Sequence, residues 1–140
     1  MKTLQLHNWQ VSPTQAKSIQ YDLAGQVSTE DKINKVELIA GVDISVLFGK
    51  TNARGAVVIL TYPDLTLIES RVMEKTLDFP YIPGFLSFRE APVILAVCEK
   101  LLKIPDIIIV DGQGLAHPRR LGLASHLGIL WNKPTIGCAK

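Results

Sequence analysis

A mixed α/β sheet is the fold class this sequence predicts, and three observations predict it. Ile107-Ile108-Ile109-Val110 is a run of β-branched residues ending in Asp111, as suits a strand covered on both faces. Three further strand-like runs precede it with short connections, which makes those three antiparallel. Helical periodicity lies before them, between the third and fourth strands, and after the fourth. The 140 residues, 47% of them hydrophobic, suffice for one sizeable core, so a single domain over residues 1–140 is expected.

The first helix opens at Ser12-Pro13-Thr14-Gln15, which offers an N-cap serine, a proline at the first helical position and a glutamine at the third. Ala16, Ile19, Leu23 and Val27 then form its apolar stripe. After a polar break, Leu38 to Ser45 reads as a strand with Asp43 inside it. Gly55 to Tyr62 reads as a second strand, Pro63-Asp64 as a turn, and Leu65 to Lys75 as a third, half-polar strand. The segment Asp78 to Leu86 holds two prolines, a glycine and three aromatics, so it reads as a rigid displayed loop. Ser87-Phe88-Arg89-Glu90 has capping-box spacing, and a helix buried over much of its circumference runs on to Leu102 with Pro92 near its first turn. The Asp111 strand follows, then a helix from Arg119 to Leu130 and a short strand from Pro134 to Ala139. This order matches the first part of a ribonuclease H-like sheet, in which acids on central strands converge at one edge.

The net charge of +2 is too mild for a general nucleic-acid footprint, so any polyanion contact must be local. Cys98 and Cys138 have neither disulfide-framework nor metal-site spacing and suit a reducing cytosol. No secretory leader pattern and no window near ~18 apolar residues is present, so a soluble cytoplasmic protein without membrane contact is expected.

Three carboxylates stand out by position: Asp43, Glu90 and Asp111. Each has a plain structural explanation: Glu90 as partner of Ser87 in a capping box, Asp111 as cap of the following turn, Asp43 on a solvated edge. An acid inside the apolar Leu38 to Ser45 run is harder to explain that way, because an unpaired buried carboxylate costs several kcal/mol. Three acids near one sheet end would be compensated by Mg2+, a hard cation that takes oxygen ligands, and paired ions about 3.5–4 Å apart serve phosphoryl transfer.

At this point three segments resemble the endonuclease V family: Gly41-Val42-Asp43-Ile44-Ser45, Pro80 to Glu90, and Asp111-Gly112-Gln113-Gly114 through His117-Pro118-Arg119-Arg120 to Gly128. They occur in family order, and the second and third are long and specific. The resemblance implies a ribonuclease H-like fold and Mg2+-dependent cleavage, with Mn2+ as the alternative cation. The bond cut lies on the 3′ side of inosine, one nucleotide removed from it, leaving 3′-hydroxyl and 5′-phosphate ends. Asp43, Glu90 and Asp111 match the family's metal ligands. Lys140 matches its active-site lysine, where a point charge steadies a phosphate oxygen.

Pro80-Tyr81-Ile82-Pro83 resembles the family's strand-separating wedge, and two prolines would fix an aromatic tip able to stack into the gap left by a displaced base. An ordinary apolar loop over the core is the alternative. Gly84, Leu86, Gly112, His117, Gly122 and Leu123 match positions around the family's hypoxanthine pocket, where glycines let backbone amides reach a flipped base. Arg119 and Arg120 would pair with phosphates or form a solvated face, while His126 reads as packing or surface.

The family, as the resemblance implies, continues past the Gly-Cys-Ala-Lys strand into further strands, a helix and another active-site histidine. This chain stops at Lys140, whether as a naturally short protein, a truncated gene or a designed form. Either self-association through an uncovered side or weak activity is therefore expected. The implied partners are inosine-containing DNA and, as a second substrate, inosine-containing single-stranded RNA. The readings that remain are a nuclease, a catalytically impaired inosine-binding fragment, and a remnant that only folds or dimerises.

Overall fold

Alternation and turn chemistry in the first half of the chain produce a three-stranded meander, onto which two parallel strands are added. The structure, a computed structural model, describes residues 1–47 and 51–140. Helix α1 spans Pro13–Ala24, strands β1 to β3 span Leu38–Val46, Asn52–Thr61 and Leu67–Thr76, and α2 spans Leu86–Cys98. Then come β4 (Ile107–Asp111), α3 (Leu123–Trp131) and β5 (Thr135–Cys138). The sheet order is β3-β2-β1-β4-β5, with β1, β2 and β3 antiparallel and β4 and β5 parallel to β1 and β4 respectively. It is the ribonuclease H-like arrangement expected from the element order.

Side chains alternate along a strand, so every second residue of the inner strands faces the helices. Ala40, Val42, Val57, Ile59, Ile108 and Val110 do so and are buried against Ala91, Ile94 and Leu95 of α2 and Leu123, Leu127 and Leu130 of α3. Burial of each large side chain stabilises the sheet by about 1.5–3 kcal/mol. The other face differs from expectation: Ile109 is 38% exposed, so the β4 run is covered on one face only. Four β-branched residues in a row report strand propensity, and propensity alone does not say how many faces are covered.

Helix boundaries also differ, and α2 ends at Cys98 rather than at Leu102. Helix α1 has the expected capping box, with Ser12 and Gln15 exchanging side-chain and backbone bonds, but Gly25 caps it before Val27. The N-cap of α2 is Phe85, with no side-chain bond, and Ser87 lies within the helix, so the Ser87–Glu90 capping box does not form. Pro92 lies inside that helix rather than at its first turn, and Phe88 loses the carbonyl partner that an N–H there would supply. Helix α3 starts at Leu123 and not at Arg119, because Arg120 has φ 56° and Gly122 is the N-cap. A Cβ on Gly122 would overlap the Gln113 carbonyl, so the tight approach of these two segments requires glycine. Among the described residues no helix is long and apolar enough to cross a membrane.

Candidate active site

Parallel pairing of β1 with β4 matches Val42 to Val110, which places the next residues, Asp43 and Asp111, side by side where the two strands emerge. Asp111 is in turn level with Cys138 on β5, two residues before Lys140. Functional groups collect beyond the carboxyl ends of such strands. Because Val42 and Val110 point to the helices, both aspartates turn away from the core. Asp43 is accordingly exposed and its Oδ1 accepts the Ile44 N–H at 2.7 Å. The expectation of a buried carboxylate on β1 is corrected: Val42 and Ile44, the neighbours of Asp43, face the core, while Asp43 lies on the other face and is exposed.

Glu90 reaches the same place from α2. Half-buried, it is the carboxylate whose protonation the surroundings alter most, pushed from 4.5 up to about 7 by burial first and by the charge of Asp43 next. Arg89 opposes the shift and Asp111 adds to it. A carboxyl whose pKa is raised by the charges of two others lies within their field. Lys140 answers part of that charge. Its ammonium lies 3.0 Å from Asp111 Oδ2, and this bond, followed by the charges of Asp111 and Asp43, raises the lysine pKa. The Lys140 side chain is otherwise 89% exposed, free to swing to another anion.

The all-oxygen donor set, concentrated negative charge and a carboxyl held partly protonated fit a hard divalent cation. Among the described residues, no three His, Cys, Asp or Glu side chains are grouped closely enough to cage one ion. The three acids share a field, with Asp43 bonded to its own neighbour and Asp111 to Lys140.

Pro80 to Pro83 form the loop expected to display an aromatic. Tyr81 is 70% exposed, whereas Ile82 and Phe85 pack into a cluster of Ala16, Phe79 and Phe88 beneath it. Arg89 Nη1 donates to the Phe79 carbonyl at 2.8 Å, tying the loop's start to α2. A hollow of about 580 Å³, lined in part by Trp9, Ser12, Thr76, Asp78 and Pro80, borders this loop.

The residues matched to a base pocket fall into two contacts. Leu123, 2% exposed, lies over Gly112, where an added Cβ would come within 3.2 Å of it, and Gly122 lies against Gln113. Gly84 meets His117 and Arg119: its carbonyl accepts from His117 Nε2 at 2.9 Å and from Arg119 Nη2 at 2.9 Å. Leu86 is half-buried at the start of α2. Arg119, read as pairing with phosphates or forming a solvated face, spends its fork on Gly84 and Gln20 and lies 4.7 Å above the Phe85 ring. Arg120 is exposed.

Two residues escaped the sequence reading. Gln20 is fully buried, and its position four residues after Ala16 and three before Leu23 puts it on the apolar stripe, a signal that was present in the spacing. His7 gives no periodic signal, yet its Nε2 lies 2.7 Å from His126 Nε2. His126 is packing, as expected, fully buried and bonded through Nδ1 to Ser87 Oγ at 2.9 Å. His7 Nδ1 donates to the Asn8 carbonyl, so its Nε2 accepts from His126 Nε2–H, and Ser87 donates to His126 Nδ1. Ser87 thus serves α3 rather than the cap of its own helix.

The sequence pattern of the endonuclease V family matches residues 21–140. Endonuclease V of Dehalococcoides mccartyi is 50% identical over 140 residues, covering 100% of this chain and 63% of that protein. The crystal structure of endonuclease V from Streptomyces avermitilis superposes with a TM-score of 0.89 at 35% identity, covering 100% of this chain and 62% of that one. Endonuclease V of Ciona intestinalis, solved with a 23mer DNA containing an inosine followed by a ribo-adenosine, gives a TM-score of 0.80 at 31% identity. That match covers 93% of this chain and 59% of the other. The chain therefore spans about 63% of the length of the curated relative.

Proposed function

Because this chain belongs to the endonuclease V family, we propose that it acts on nucleic acid containing deaminated adenine and hydrolyses a phosphodiester on the 3′ side of inosine. The observation that carries the reading is the meeting of Asp43, Glu90 and Asp111, from three separate elements, in one field at the ends of β1 and β4. Asp43, Glu90 and Asp111 would hold Mg2+ or Mn2+, which when bound supplies charge stabilisation and a more acidic attacking water. The water oxygen joins phosphorus as the bond to the 3′ oxygen breaks, and a proton lost by the water ends, through solvent, on the 3′ oxygen, leaving a 3′-hydroxyl and a 5′-phosphate.

The chain's own groups account for the rest. Glu90, whose pKa burial and the charge of Asp43 push up to about 7, would hold a bound cation in its deprotonated form and takes up a proton without one. Lys140 leaves Asp111 for a nonbridging phosphate oxygen, a contact its exposed side chain can reach. Tyr81, which is exposed, stacks where the inosine has left the duplex, and in this reading the segments that carry Gly84, Gly112 and Gly122 receive the base. Inosine in single-stranded RNA is the second substrate of this reading, and the cytoplasm its location.

The test is a nicking assay with an end-labelled duplex carrying one inosine, in Mg2+ and in chelator. Cation-dependent cutting one nucleotide beyond the inosine on its 3′ side is expected. Selective binding without cutting would leave an inosine-binding module in place of an enzyme, and indifference to inosine would refute both.

A further inference from the structure

One backbone oxygen ties together three parts of the chain that are remote in sequence. The Gly84 carbonyl accepts from Gln20 Nε2 at 2.8 Å, from His117 Nε2 at 2.9 Å and from Arg119 Nη2 at 2.9 Å. Gln20 Oε1 in turn accepts Arg119 Nε at 2.5 Å, closing a ring between α1, the 80–85 loop and the loop after β4. His117 Nδ1 accepts the Arg119 backbone N–H at 3.0 Å, which fixes its tautomer with Nε2–H as the donor. A carbonyl has two lone pairs, so three donors converging on it, one cationic, hold it more tightly than a turn needs. Gly84 itself has φ +87°, and a Cβ there would lie 2.7 Å from Arg119 Nη2, so the clamp and the residue fit only each other.

We propose that Gln20 is a positioning residue: through the Gly84 carbonyl and Arg119 it sets the Tyr81 loop against the base-receiving loop. Gln20 is fully buried and touches no reacting group, so its amide has no other task that its bonds reveal. The apolar cluster under Ile82 and Phe85 holds the loop down, and the amide sets its orientation. What the loop does to nucleic acid rests on the inosine-nuclease reading, whereas the clamp itself does not.

Gln20→Leu removes both bonds, and Gln20→Glu keeps the shape while replacing the donor to Gly84 with an acceptor. The first measurement is amide hydrogen exchange without nucleic acid, read at Phe85, whose N–H donates to Ile82 O at 3.0 Å. Exchange at Phe85 should rise about tenfold in both variants while Ile108 in the sheet stays unchanged. The second is affinity for an inosine-containing duplex and for the same inosine strand alone. Duplex affinity should fall about tenfold, within what loss of one stacked base costs, and single-strand affinity should hold within about twofold. Unchanged Phe85 exchange, or equal acceleration at Ile108, would overturn the clamp. Equal loss on duplex and single strand would overturn its role in positioning the wedge. If the unaltered protein shows no preference for inosine, the functional reading fails while the exchange arm still decides the clamp.

Discussion

Glu90 is the residue whose surroundings make the strongest demand, because burial and the charge of Asp43 both favour its protonated form. Its pKa is raised from 4.5 to about 7, so the folded chain keeps a proton in that window which the unfolded chain has released. Its contribution to stability is thus fully present below about pH 4.5 and lost as pH rises through about 7. Glu90→Gln should therefore be more stable than the parent at pH 8, by about 1–2 kcal/mol after discounting for solvent access, and no more stable at pH 4. Urea unfolding at both pH values checks this. Glu90 also shows where a residue's role was legible and where it was not. Its place in the motif marked it as a metal ligand by resemblance, but the spacing to Ser87 equally suggested a cap, and only the burial of Ser87 beside His126 separates the two. Asp43 teaches the converse, since the apolar run around it said nothing about which face it took.

Elements are held in place by contacts between residues far apart in the chain, and the N-terminal segment is docked through His7 on His126 of α3. Burial lowers the His126 pKa from 6.5 to about 3, and the electrostatic interaction with His7 adds to the effect. A depressed histidine gives stability present above pH 6.5 that is lost as pH falls towards about 3, opposite in sign to Glu90. His126→Leu lowers the baseline by stranding Ser87 and His7, but it should flatten the fall in stability between pH 6.5 and 5 that the Glu90→Gln background exposes. An unchanged slope would show that His126 is not the group titrating. The wedge loop carries its own expectation: Tyr81→Ala should weaken binding to inosine-containing duplex more than to single strand, by about 1–3 kcal/mol of lost stacking. Equal losses would argue against a wedge. The order of elements, the antiparallel meander and the α1 capping box could all be read from period and turn residues. The start of α3 could not, because a left-handed Arg120 leaves no mark in an otherwise helix-forming stretch.

At the scale of the whole molecule, the sheet brings two acids into register, α2 delivers the third, and β5 returns Lys140 beside them. None of the four could assemble the site alone, and their separation in sequence is why local spacing could nominate them but not place them. The central property of the molecule is then the binding of one cation by these three carboxylates in common. Titration of Mn2+ followed by loss of its free-ion spin-resonance signal tests this on the unaltered protein and on Asp43→Asn, Glu90→Gln and Asp111→Asn. Saturable binding that weakens at least about tenfold in every single variant, with each variant still folded, is the predicted result. Absence of binding at millimolar Mn2+, or binding that survives loss of any one of the three carboxylates unchanged, would contradict it.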